Sequence, residues 1–208
     1  MSISTEKDVL HLIKDDQLMM AVIRATKTLG LPDWWICAGF VRSKVWDALQ
    51  GFTSRTEVPD VDVIYFNPES VDESEEKQYE AKLRNIVPVV PWSVKNEARM
   101  HLVNDIPPYS SAVDAISKFP ETVTSLGVKL NDDDELVLIA PHGVEDLFNF
   151  HVRPTPYFEE TIERAQIYET RLLKKNWGAT WDKVSMTHST LQCVPEQKDI
   201  GTLIHDFV

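Results

Sequence analysis

The stretch Pro59-Asp60-Val61-Asp62-Val63-Ile64-Tyr65-Phe66 constrains this chain more than any other. Its β-branched and aromatic residues predict a strand over residues 61–66, and Asn67-Pro68 stops it. Residues two apart on a strand point to the same face. Asp60 and Asp62 then stand side by side, while Val61 and Val63 enter a core from the other face. Two carboxylates beside a core are costly without counter-charge. The spacing alone is weak, because 33 acids in 208 residues give about 5 acid-x-acid pairs by chance. The apolar strand around this pair separates it from solvated surface acids.

Two carboxylates on one rigid face suit Mg²⁺, a hard ion that takes oxygen ligands and keeps sites for phosphate and water; Mn²⁺ is the alternative ion. Such ions clamp a triphosphate and stabilise charge in phosphoryl transfer. About twenty residues upstream lies Ala38-Gly39-Phe40-Val41-Arg42-Ser43-Lys44-Val45-Trp46-Asp47. Here a buried strand feeds a glycine and a helix follows. Gly39 lets a phosphate approach backbone N–H groups at the helix N-terminus, and Arg42 and Ser43 add direct contacts. One glycine before a helix is common, and Arg42 pairing with a surface acid is the plain alternative.

Composition narrows the partners. A chain of 208 residues with 43% hydrophobic and 26% charged residues is ordinary for one soluble domain. It is not a disordered chain, a fibre or a disulfide scaffold. The net charge of −12 repels a polyanion unless one cleft is locally basic, so long nucleic acid is a poor partner. A nucleotide carried with magnesium remains compatible. The longest charge-free apolar stretch, residues 34–41, is too short to span a bilayer. No basic region leads into an apolar run at the N-terminus, so no signal peptide is read and a cytoplasmic location is the default. Cys37 sits in an apolar run as a reduced core residue, and neither it nor Cys193 has a ligand partner nearby.

Periodicity predicts an N-terminal helical stretch over residues 4–29, broken near Asp15 and Asp16, then a buried strand at 34–38 and a helix at 40–50 ended by Gly51. The acidic run 69–80 reads as a solvated helix face. Residues 86–94, apolar with prolines, predict a strand near an edge. Helices are expected at 96–104 and 111–119, a hairpin across 127–139, and a long helix over 158–175 that begins acidic and ends basic, as the macrodipole favours. Mixed elements without strict alternation predict an α+β fold.

A strand–Gly–helix element followed by an hDhDh strand resembles the polymerase-beta-like nucleotidyltransferase superfamily. The wider sequence is similar to a bacterial nucleotidyltransferase-like family of unassigned substrate. The likeness runs through Ala38-Gly39-Phe40-Val41-Arg42, Asp60-Val61-Asp62-Val63, the stretch from Pro91-Trp92-Ser93-Val94-Lys95-Asn96 to His101, Phe119-Pro120-Glu121-Thr122, Ala140-Pro141-His142-Gly143 to Phe148, and Val152-Arg153-Pro154. It covers roughly residues 20–180. The resemblance implies a small mixed β-sheet flanked by helices. It implies one nucleotidyltransferase-like domain over 1–182, with 183–208 as a C-terminal extension. Asp60 and Asp62 become catalytic metal carboxylates. Gly39 and Ser43 face the phosphates of a nucleoside triphosphate; Arg42 and Lys95 are further candidate contacts read from the residues themselves, with a surface or pairing role the alternative for Lys95. The activity implied is transfer of a nucleoside monophosphate to a small-molecule or protein hydroxyl.

The sequence departs from the superfamily at one place. A third acid is expected on a later strand, and Ser93 occupies that position. Glu97 and Asp105 are nearby substitutes, although a following helix aims its side chains differently. The alternative reading is therefore a catalytically weak or inactive nucleotide-binding or protein-interaction domain with the same fold. Arg99 and Arg153 are surface or pairing cations before they are phosphate ligands, His101 a structural hydrogen-bonding residue, and Trp46 and Trp92 core. His142, Glu145 and Asp146 open a short helix, where capping is the simplest role.

Overall fold

The computed structural model describes residues 3–104 and 106–191, so Asp105, Cys193 and most of the C-terminal extension lie outside the described residues. Helices α1 (Glu6–Lys14) and α2 (Gln17–Lys27) lead the chain. The break falls at Asp15 and Asp16 as expected, because Asp16 caps α2 by accepting from the Met19 N–H. Then follow β1 (Trp35–Cys37), α3 (Gly39–Gln50), β2 (Val61–Tyr65), α4 (Glu73–Ile86), β3 (Trp92–Asn96), α5 (Glu97–Asn104), α6 (Ala112–Ser117), β4 (Gly127–Leu130) and β5 (Leu136–Ile139). The described chain closes with α7 (Glu145–Phe148), β6 (His151–Val152), α8 (Ile162–Lys175) and β7 (Ser185–Met186). None of the described helices is long and apolar enough to cross a membrane.

The sheet has five strands in the order β3-β2-β1-β4-β5. Only β2 and β3 are parallel; β1 runs antiparallel to both β2 and β4, and β4 and β5 form the expected hairpin. This is the α+β arrangement the patterns predict. One sheet face carries the main core, where Val61, Val63 and Tyr65 meet Ile36, Val94 and Val128 with α1–α3. The other face carries Trp35, Cys37 and Ile64 against Ala112, Ile116 and Phe119. Trp46 anchors α3, fully buried, with its indole N–H on the Leu147 carbonyl at 2.9 Å and its ring stacked on Phe150. Burial of such side chains contributes roughly 1.5–3 kcal/mol each. Cys37 is fully buried and free. Trp92 is core, its indole donating to the Val87 carbonyl. The short pairing of β6 with β7 ties residues 185–186 to the body, and the Tyr168 hydroxyl donates to the Thr187 carbonyl.

The acidic run is not a solvated face throughout. Glu69, Asp72 and Glu73 are exposed, but Glu76 and Glu80 are buried. They turn inward because β3 is an edge strand whose outer N–H groups lack a strand partner. Glu76 accepts from the Asn96 N–H at 3.0 Å, and Glu80 accepts from the Val94 N–H at 3.3 Å. Arg99 completes the arrangement by donating to both Glu76 oxygens at 2.8 and 2.9 Å. The basic partner lies a strand and half a helix away in sequence, so a local charge pattern does not reveal it. Replacing Glu76 by alanine would strand a guanidinium and an edge amide, so a loss of roughly 3–5 kcal/mol in urea unfolding is expected, with a smaller loss for Glu76→Gln. A solvated acid would cost less than about 0.5 kcal/mol on the same measurement.

Candidate nucleotide site

The site is a cleft of about 190 Å³ between the start of α3, the loop into β2 and the end of α8. It begins with strain. Ala38, between β1 and α3, has φ 54° and ψ −120°, a conformation that L-residues avoid. The sequence points to Gly39 as the special position, but the unusual backbone is one residue earlier. A Cβ built on Gly39 would meet only the Arg42 guanidinium, at an ordinary 3.7 Å. No side chain caps α3. Gly39 at its start lines the cleft, and an uncapped helix start of this kind suits phosphate.

Asp60 and Asp62 both line this cleft, as the alternation of the strand requires. Asp62 is 8% exposed and Asp60 half-buried. Burial, and then the neighbouring Asp60 carboxylate, push the Asp62 carboxyl up to about 7, while Lys175, a Ser93 hydrogen bond and Arg171 pull it down. Ser93 sits directly opposite Asp62 in the β2–β3 register. Glu97 does not line the cleft. It is 3% exposed, and burial followed by repulsion from Glu76 and Asp62 raises it from 4.5 to about 8. Among the described residues no group of three or more His, Cys, Asp or Glu side chains is arranged to hold a metal. Two carboxylates beside a hydroxyl nevertheless fit Mg²⁺, which takes oxygen donors and completes its shell with phosphate and water.

The other predicted residues divide. Gly39, Arg42 and Ser43 line the cleft with the aspartates. Lys95 lies on the same sheet face, opposite Ile64, outside the cleft lining. Arg42 is not a surface cation. It is 7% exposed and ringed by Trp46, Trp177 and Trp181, with its guanidinium carbon 5.2, 4.8 and 5.5 Å from their ring centres. It donates to the Ser43 hydroxyl at 3.1 Å, and its Nε has no partner among the described residues. Burial lowers its pKa to about 10. Arg153 is spent on Asp146 at 2.8 Å.

One wall was not found by sequence reasoning. Arg171, Lys175, Trp177, Thr180 and Trp181 come from the end of α8 and the turn beyond. Arg171 meets the fully buried Glu121 at 2.8 Å, and this pairing with the Thr124 hydroxyl holds Glu121 below its usual range despite its burial. Asp47 ties the walls together: it accepts from the Trp181 indole at 2.9 Å and from the Thr56 N–H and hydroxyl at 2.7 Å each. The signal in the sequence is Lys174-Lys175-Asn176-Trp177, which a macrodipole argument absorbs as a helix end.

A five-stranded mixed sheet with a carboxylate pair facing an uncapped helix start is the arrangement expected of a nucleotidyltransferase fold. Residues 24–186 match a family model described as nucleotidyltransferase, and the chain belongs to that family. A protein whose NMR structure reveals a CCA-adding enzyme head domain superposes with a TM-score of 0.82 at 36% identity, covering 90% of this chain and 98% of that one. A CCA-adding enzyme in complex with CTP gives a TM-score of 0.53 at 13% identity, and the Thermotoga maritima CCA-adding enzyme complexed with tRNA gives 0.54 at 16%. These two likenesses concern the fold; the chain spans 44% of the length of each. No curated protein matches significantly. The fold and the family make nucleotidyl transfer the general class of chemistry.

Glu97 supplies a test of the site's electrostatics. A carboxyl raised from 4.5 to about 8 favours folding fully below the unfolded value, and that contribution is lost as pH rises through about 8. Glu97→Gln should match the wild type in urea unfolding at pH 5 and exceed it at pH 9 by on the order of a few kcal/mol. Equal stability at both pH values would mean the group ionises normally.

Proposed function

We propose that this chain is a Mg²⁺-dependent nucleotidyltransferase that moves a nucleoside monophosphate from a nucleoside triphosphate to a hydroxyl of a small molecule or protein. The observation that carries this reading is the shared cleft, in which Asp60 and Asp62 face the uncapped start of α3 with Gly39 and Ser43. Asp60 and Asp62 would hold Mg²⁺, with Mn²⁺ the alternative ion. The ion, when bound, neutralises phosphate charge and orients the α-phosphorus. The first-turn N–H groups of α3 and the Ser43 hydroxyl would bind phosphate oxygens. Arg42 would add charge at close range, its position fixed by the three tryptophans. In the step itself the acceptor oxygen forms a bond to the α-phosphorus, the bond to the bridging oxygen breaks, pyrophosphate leaves, and the hydroxyl proton passes to water. The net charge of −12 disfavours a long nucleic acid acceptor, while the cations of the cleft serve the nucleotide's own phosphates.

A second reading has its own observation. Ser93 stands opposite Asp62 where the superfamily resemblance calls for a third acid, which favours a catalytically weak nucleotide-binding module.

Incubation with α-labelled nucleotides, Mg²⁺ and cell extract separates the two readings. Label should pass to an acceptor, and Asp60→Asn with Asp62→Asn should reduce it at least about a hundredfold, some 2.7 kcal/mol of barrier. Nucleotide binding without transfer would favour the weak module. Wild-type transfer by the double variant would defeat the assignment of the aspartates. Its melting temperature should be unchanged or raised, because Asp62 is held above its ordinary range in the native state.

A further inference from the structure

Resting on the nucleotide reading above, we propose that the end of α8 supplies the subsite for the terminal phosphates of the triphosphate, with the Lys175 ammonium as its principal ligand and buried Arg42 behind it. Three observations place charge there. Lys175 lines the cleft, and its side chain makes no hydrogen bond or ion pair with a described residue, although it feels Asp60, Glu121, Arg171 and Arg42. Arg42 lines the same cleft, more than nine-tenths buried, and no carboxylate among the described residues pairs with it. A guanidinium held out of water without a paired carboxylate favours an anion close to it. Asn176 then ends α8 in a left-handed conformation at φ 40°. That turn carries Trp177 and Trp181 onto Arg42 and fixes the last turn of the helix beside the cleft.

The arrangement sorts charge across a small space. Asp60 and Asp62 stand on the β2 side, suited to an ion near the α-phosphate. Lys175 and Arg42 stand on the α8 and α3 side, suited to the leaving pyrophosphate. A macrodipole role for Lys175 accounts for a lysine in the last turn, and Lys174 fills that role equally while lying outside the cleft. The macrodipole does not account for the buried Arg42 charge beside it.

Isothermal titration of ATP, AMP and inorganic tripolyphosphate in Mg²⁺ tests this. Lys175→Ala should weaken ATP and tripolyphosphate about tenfold, the worth of one charge-assisted hydrogen bond, and AMP by less than about twofold. Lys175→Arg should recover most of the loss, and Lys174→Ala should change neither. Lys175→Arg keeps the positive charge near Asp62, so its urea unfolding should match the wild type within about 0.5 kcal/mol. Unchanged ATP affinity in Lys175→Ala, or an equal loss of ATP and AMP, would overturn the subsite. A wild-type protein that binds none of the three ligands would instead defeat the underlying nucleotide reading.

Discussion

The structure is organised around a buried carboxylate that the sheet forces into place. Asp62 belongs to a strand hydrogen-bonded on both sides, to β1 and to β3, so its register cannot slip without turning Val61 and Val63 out of the core. The apolar residues of β2 therefore hold Asp62 on the opposite face at 8% exposure. Burial and the neighbouring Asp60 push its carboxyl up to about 7. A protein tolerates such a position when nearby positive charge offsets the cost, and the end of α8 brings Arg171 and Lys175 to it. The cleft follows from that pairing of a rigid acidic strand with a basic helix end.

The same economy governs the rest of the acidic chain. With a net charge of −12, this protein uses part of its surplus as internal hydrogen-bond acceptors. Glu76 and Glu80 complete an edge strand, Glu121 receives Arg171, and Asp47 joins the loop before β2 to the turn after α8. Carboxylates suit these tasks because each offers several lone pairs and strengthens a backbone donor it accepts from. Glu97 differs: burial and two neighbouring acids raise it to about 8. It is not part of the cleft lining, and Ser93 stands in register with Asp62.

Local patterns were sufficient for much of the fold and for half of the cleft. Alternation in β2 gave the shared face of Asp60 and Asp62, and the strand–helix junction at Ala38-Gly39 gave the open helix start. The hairpin of β4 and β5 and the break between α1 and α2 also follow from nearest-neighbour chemistry. The inward turn of Glu76 was not legible, because it answers an N–H at Asn96 and a guanidinium at Arg99, both distant in sequence. Arg42 had the same ambiguity. A single arginine on α3 reads as a phosphate or surface contact until Trp177 and Trp181 close over it.

Local pattern alone fixes the N-terminal helices, β2 and the β4–β5 hairpin, and puts two aspartates on one face, since those properties depend on bond geometry over a few residues; the strand expected over 86–94 instead starts at Trp92, because α4 runs on to Ile86, and the pairing of β6 with β7 has no local signal. What stands opposite the two aspartates depends on long-range packing. Arg171, Lys175, Trp177 and Trp181 lie more than a hundred residues beyond β2, and nothing in their local pattern specifies which surface they cover. Their placement is settled by docking: Arg171 on buried Glu121 and Trp181 on Asp47, contacts whose energy exists only once distant segments have left water together.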